Sequence, residues 1–266
     1  MLFATVGCSF TRGERLFYHR YVEDDEVLNR NDWQLGANNP LRVTIPIFGQ
    51  IPDVDGKHML AATQQDKRFM LDISYTGLLS KRLNCEYFTK SGDNFSHIDE
   101  TIPKWVEVSR TVPERKLDFI VLQLTEPQRD IKQFYGGENG QEFWDTLKSF
   151  STSPEEKKKL LHHLEVEIPE QTVSKVLKTN KLCKDNDIDL LVWSWTTPIA
   201  EMLKGEDFFV KIEYEGKEYI SFEQARKDYN VTLDQIFVSS DTHPNKFFNR
   251  VLFDSIIIKL KEKGII

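Results

Sequence analysis

Residues 117–124 read Leu117-Asp118-Phe119-Ile120-Val121-Leu122-Gln123-Leu124. A near-continuous apolar run of this length reads as a strand buried on both faces, in the middle of a parallel sheet. Working outward, three more short apolar runs have the same character: residues 2–6 ending at Gly7, residues 85–89, and residues 188–195 (Ile188-Asp189-Leu190-Leu191-Val192-Trp193-Ser194-Trp195). Between them the apolar spacing turns helical, over 69–83, 95–110, a long polar stretch from 154 to 186, and 244–263. Pro103 marks an early turn or a kink in the second of these, and Pro244 opens the last. Strands alternating with helices predict a parallel sheet covered on both faces. The expected fold is a three-layer α/β/α sandwich, flavodoxin-like in class, with a central parallel sheet of about five strands.

The 266 residues suit a single domain spanning 1–266. Two stretches break the rhythm and read as insertions on that core. Residues 21–66 are rich in Asp, Asn, Pro and Gly and have weak periodicity, and residues 205–235 contain a hairpin pattern around Glu215-Gly216 followed by a short helix. Long irregular segments in compact enzymes serve as lids or binding surfaces, or as surface decoration and subunit contacts.

Charge narrows the partners. The chain has 35 basic and 42 acidic residues, a formal net charge of −7, and its densest basic run, Lys157-Lys158-Lys159, follows Glu155-Glu156 at helical spacing. A nucleic-acid binder would carry a basic stripe instead, so nucleic acid is not the expected partner. No apolar run approaches the roughly 18 residues of a membrane span. The first residues are too short and uncharged for a signal peptide and predict a buried strand. Three cysteines, Cys8, Cys85 and Cys183, at irregular spacing argue against a disulfide framework or a zinc site, and for the reducing cytoplasm.

The first strand ends in Gly7-Cys8-Ser9-Phe10-Thr11-Arg12-Gly13. The C-terminal ends of parallel strands form the rim where ligands bind, so Ser9 is expected at that rim, with its own backbone N–H facing a developing oxyanion. Near the other end lies Ser239-Ser240-Asp241-Thr242-His243-Pro244-Asn245. Residues two apart on an extended loop point the same way. Asp241 can therefore orient the His243 imidazole, and Pro244 favours the extended form at His243. The same stretch also fits a helix N-terminus capped by Asp or Thr. Taken together, Ser9, His243 and Asp241 form a candidate nucleophile, base and orienting acid.

This pairing of a serine at the first strand end with Asp-x-His-Pro before the last helix resembles the SGNH (GDSL-like) hydrolase family, and most of all its SGNH-like representatives in bacteriophage genomes. The resemblance covers the core and not the two insertions. It implies an SGNH-type fold, no metal or organic cofactor, and acyl transfer through Ser9 from a small ester or glycan ester, for example O-deacetylation of a carbohydrate. The family's second block is a glycine whose N–H joins the oxyanion hole. Ser91-Gly92-Asp93-Asn94 stands at that place, with Gly92 as the donor and Asn94 as a helix cap or a substrate-binding amide. The third block departs: the family places Gly-x-Asn-Asp after the third strand, where this chain has Thr125-Glu126-Pro127-Gln128-Arg129. Thr125, or the amide of Gln123 or Gln128, takes the place of the missing asparagine. Loss of one oxyanion donor typically costs about 3 kcal/mol. Arg129 suits either an anionic substrate group or a surface ion pair.

Of the remaining residues, Cys8 reads as small and buried, pointing away from Ser9. His162 and His163 have no ligand spacing, and His19, His58 and His97 carry no motif. Trp193 and Trp195 share one face of their strand; core packing is the default, and Trp195 at the strand end also suits a substrate wall. If viral, the protein would act in the cytoplasm of the infected cell. Two other functions fit the same residues: a catalytically weak or inactive viral binding or structural protein, and an acyltransferase using the same triad. Sequence leaves the oligomeric state open.

Overall fold

The computed structural model describes residues 1–8, 11, 49–52, 58–61, 72–127, 130, 153–228 and 246–266, with backbone only for 49–52, 58–61, 156, 157, 160, 226, 228 and 246. Its centre is a four-stranded parallel sheet of β1 (Leu2–Gly7), β4 (Glu86–Ser91), β5 (Phe119–Leu124) and β6 (Asp189–Ser194), in the order β4-β1-β5-β6. The apolar run that opened the sequence reading is thus an interior strand, and all six residues of β5 are buried. Its neighbours are set in register by Phe3↔Phe119 on one side and Phe119↔Asp189 on the other. The two remaining strands of the first half, β2 (Gly49–Pro52) and β3 (His58–Ala61), form a separate antiparallel pair within the 21–66 stretch.

Strand residues alternate between two apolar layers. On one face Phe3, Phe119, Val121, Leu191 and Trp193 pack with α1 (Tyr75–Leu83) and α7 (Lys246–Glu262). On the other, Ala4, Val6, Ile120, Leu122, Leu190 and Val192 pack with α2 (Ile102–Thr111), α4 (Ile168–Lys184) and α5 (Thr197–Leu203). The result is an α/β fold with helices on both faces of a parallel sheet, compatible with a flavodoxin-like sandwich. Among the described residues no helix is long and apolar enough to cross a membrane.

Helix ends follow local chemistry. Ser74 caps α1 by accepting the Gly77 N–H (3.2 Å), and Asn84 ends it in the left-handed conformation (φ 48°). Both expected long helical stretches carry a π-helical turn just before an Ile-Pro pair: His97–Thr101 before Ile102-Pro103, and His163–Glu167 before Ile168-Pro169. Proline lacks the N–H that would continue the i→i−4 ladder, and the turn before it widens. The second stretch begins with α3 (Pro154–His162).

Of the 205–235 stretch, residues 205–228 are described, and they are bound closely to the core. Their hairpin, β7 (Ile212–Tyr214) and β8 (Lys217–Tyr219), turns through Glu215 (φ 48°) and Gly216 (φ 75°), the two left-handed residues that a two-residue hairpin loop needs. Phe208, Phe209, Val210 and Ile212 are all buried. Val192 N–H donates to the Phe208 carbonyl (2.9 Å) and Val210 N–H donates back to Val192 (2.7 Å). Isolated parallel bridges at Val192↔Phe209 and Ser194↔Ser221 occupy the fifth position, where a fifth full strand was expected. Helix α6 (Phe222–Asp228) follows.

Candidate active site

The strand order changes direction at β1. From β1 the chain passes to β4 on one side, then crosses to β5 on the other. Ligands of open α/β sheets bind at such a switch, outside the carboxyl ends of the strands. Here those ends are Gly7-Cys8, Ser91-Gly92 and Leu124-Thr125.

Both flanks of the Ser9 segment are fixed. Thr11 N–H donates to the Cys8 carbonyl (3.1 Å). Gln123, fully buried on β5, holds both flanks: its Oε1 accepts from Thr11 Oγ1 (2.6 Å) and its Nε2 donates to Cys8 Sγ (3.0 Å). Thr11 Oγ1 in turn accepts from the Tyr75 hydroxyl (3.2 Å), and Thr76 Oγ1 lies 3.2 Å from both Thr5 Oγ1 and the Thr11 carbonyl. Burial keeps the Tyr75 phenol well above the usual tyrosine range. Gly7 is required by crowding: a Cβ there would lie 2.2 Å from Thr11 Oγ1 and 2.6 Å from Gln123 Cβ. Cys8 is buried in the core, as expected. Ser9 itself lies outside the described residues, as do Arg129, Asp241 and His243.

The second block is placed differently from its expected role. Gly92 N–H donates to the Gly7 carbonyl at 2.8 Å, extending the β1–β4 ladder by one bond. An N–H spent in this way does not face an oxyanion, which corrects the expectation for Gly92. The same carbonyl accepts from His97 Nε2 (2.8 Å), and the ring fits because Gly92 has no side chain: a Cβ there would lie 3.1 Å from His97 Cε1. His97 is fully buried, and desolvation lowers its pKa below the usual histidine range. With Nε2 donating, the neutral ring leaves Nδ1 as an acceptor, and that atom has no partner among the described residues. In the sequence His97 carries no motif and stands out only as lying one turn beyond Gly92-Asp93, in reach of the pocket; the missing side chain at Gly92 leaves room for its ring.

Asn94 is neither cap nor substrate ligand. Asp93 is the cap, accepting the Ser96 N–H (2.8 Å) at the start of the helical turn Asn94–Ser96. Asn94 is fully buried and its amide is committed inward. Oδ1 accepts the Thr125 N–H (2.8 Å), while Nδ2 donates to the Thr125 carbonyl (3.3 Å) and to Asp130 Oδ2 (2.6 Å). Asp130 Oδ1 also accepts the Phe95 N–H (3.2 Å). Burial pushes the Asp130 carboxyl up to about 7, against the pull of its bonds to Asn94 and Phe95. Thr125 Oγ1 is buried and has no partner among the described residues. Among the described residues it is the one expected donor not already spent, since Gln123 is committed to Thr11 and Cys8.

Trp195 belongs to the core rather than to a substrate wall. It is 7% exposed and stacks on Phe222, with ring centroids 4.0 Å apart and planes 26° apart. Its N–H continues the β5–β6 ladder to the Leu124 carbonyl (2.8 Å). Beside it, a groove of about 540 Å³ lies along the ends of β5 and β6, walled by Pro127, Leu164, Pro198 and Thr196, with Glu165 and Glu223 at its polar side. Asn249 Oδ1 on α7 accepts the N–H of Tyr75 (3.0 Å), the residue whose hydroxyl reaches Thr11. Among the described residues no three of His, Cys, Asp and Glu gather as a metal site.

No family model matches the chain, and neither a curated protein nor a solved structure matches it.

Proposed function

We propose that this chain is an SGNH-type serine hydrolase of a small ester, with O-deacetylation of a carbohydrate as the reaction class. Ser9 attacks the ester carbonyl and His243 takes its proton. The leaving alcohol receives that proton, and water then hydrolyses the acyl-enzyme with His243 as base. Asp241 holds the imidazole tautomer and stabilises its charged form. Ser9 N–H and Thr125 Oγ1 are the oxyanion donors, Gly92 N–H being engaged by Gly7. Fewer donors mean a slower enzyme.

The observation that carries this reading is the convergence of the sequence blocks on one switch point. Gly7, Gly92 and Thr125 meet there through direct hydrogen bonds and the Asn94 bridge. The Tyr75 link from Thr11 to Asn249 supports an approach of the last motif to the first. The free thiols of Cys8, Cys85 and Cys183 support a reducing, cytoplasmic setting.

A second reading has its own observation. The inward commitment of both Gly92 and Asn94 favours a protein that keeps the fold as a binding or structural module. Labelling with a fluorophosphonate probe, followed by intact mass, separates the two. The hydrolase gives one adduct, lost in Ser9→Ala and slowed at least a hundredfold in His243→Ala. An unlabelled wild type between about pH 6 and 9, the range spanning the imidazole titration, overturns the hydrolase reading.

A further inference from the structure

We propose that Asp130 is a positioning residue of the site, acting through Asn94 to fix the chain where strand β5 ends and so to place the Thr125 hydroxyl. This deepens the hydrolase reading and rests on it for the role of Thr125; the clasp itself does not.

At Leu124 the sheet still supplies a partner, the Trp195 N–H. One residue later the side-chain amide of Asn94 stands in for the missing strand. It presents an acceptor to the Thr125 N–H and a donor to the Thr125 carbonyl, as a neighbouring peptide group would. An amide can satisfy these two groups in only one of its two flipped orientations. Asp130 selects that orientation: its Oδ2 accepts the second Nδ2 hydrogen at 2.6 Å, and the flipped amide would set oxygen against carboxylate. Phe95 N–H holds the other carboxylate oxygen, so Asp130 is fixed at both atoms. Asn94, Thr125 and Asp130 are each no more than 1% exposed, so no water competes at the surface. The arrangement joins the β4 exit to the β5 exit, the two strand ends that flank Gly7.

Ionisation bears on the clasp. The carboxyl faces three donors, the Asn94 side-chain amide and the backbone N–H groups of Phe95 and Asn94, and all favour the carboxylate; burial opposes them and brings its titration to about 7. Asp93 is the charge that adds to the burial effect. His97, on the same helical stretch, is held neutral by its own burial. Lys175 on α4 pairs with Asp99 (2.5 Å) and lies over the Phe95 ring.

The test compares wild type, Asp130→Asn and Asn94→Ala by hydrogen exchange across pH, corrected for intrinsic rates, with Val192 as a core reference. Asp130→Asn preserves shape and is expected to fold. The expected result is protection at Thr125 that falls about tenfold in wild type as the pH drops through 7: this local opening, unlike global unfolding, leaves Asp130 buried, so protonation weakens only its bond to Asn94, roughly what one hydrogen bond to a charged group contributes. That step is absent in Asp130→Asn, whose protection is low throughout, while Val192 is unchanged. Fluorophosphonate labelling of the same proteins should slow about tenfold in Asp130→Asn. Equal Thr125 protection in a folded Asp130→Asn, or a step that persists without the carboxyl, overturns the clasp. Altered exchange with unchanged labelling overturns the positioning role. A wild type that takes no label fails the hydrolase reading alone, and overturns the positioning role with it, while the exchange result still decides the clasp.

Discussion

His97 donates its Nε2 hydrogen to the carbonyl of Gly7 at 2.8 Å, joining residues 90 positions apart. The ring is buried and its pKa lies below the usual range, so it folds in as the neutral form. An unfolded histidine titrates near 6.5, so below about that pH the unfolded state binds the extra proton and stability is lost on acidification. Replacing His97 with Gln should abolish this acid loss. His97→Ala should cost about 2–3 kcal/mol at pH 7.5, from the lost bond and the cavity. Urea unfolding at pH 5.5 and 7.5 measures both.

Asp130 works in the opposite direction. Its folded pKa of about 7 stands above the unfolded value of 3.8. Its contribution is fully present in acid and is lost as pH rises from about 4 to 7, with a limiting slope near 1.4 kcal/mol per pH unit. In Asp130→Asn that slope should disappear. The His97 and Asp130 variants should therefore tilt the stability–pH curve in opposite senses, a pattern that calorimetry over pH 4–8 would reveal.

Gly7→Ala should be among the most damaging small substitutions in the chain. The new methyl group would overlap Thr11 Oγ1 and Gln123 Cβ, and Gln123 cannot retreat from the centre of the sheet. A loss of about 1–3 kcal/mol or more is expected. Gly205→Ala is the control: nothing lies within 4 Å of its added carbon, and a gain of about 0.5 kcal/mol is expected from the unfolded state. Thermal midpoints of the two variants should move in opposite directions.

The Gln123 amide ties Thr11 and Cys8 to strand β5. Gln123→Met keeps the volume and removes both bonds, leaving the Thr11 hydroxyl and Cys8 sulfur without the amide. A loss of about 2 kcal/mol is expected, against about 1 kcal/mol for Tyr75→Phe, which removes one bond to Thr11. The double variant should lose less than the sum, because both side chains act on the same Thr11 hydroxyl. Chemical denaturation of the four proteins measures this coupling.

The sheet was legible because burial on both faces leaves a mark in the chain: β5 is apolar almost throughout, and its expected and observed limits differ by two residues at the start. The hairpin was legible because Glu215-Gly216 is turn chemistry confined to neighbours. The docking of residues 208–210 on β6 was not, since two isolated bridges impose no periodicity. Gly92 was expected as an oxyanion donor, but its N–H bonds Gly7 and its bare Cα makes room for the His97 ring, which only the fold brings there. The Asn94–Asp130 pair is 36 positions apart and consists of common polar residues. Sequence spacing carries no sign of such a network; burial creates it.

The docking of residues 208–210 and Ser221 has a further consequence. Strand β6 would otherwise end the sheet with a row of unpaired peptide groups beside Leu190, Leu191 and Val192, an open template for another chain. Those groups are engaged by Phe208, Val210 and the Ser221 bridge at Val192 and Ser194. The segment thus acts as a hem along that margin, and its loss would turn the fold toward edge-to-edge aggregation before the core itself gave way.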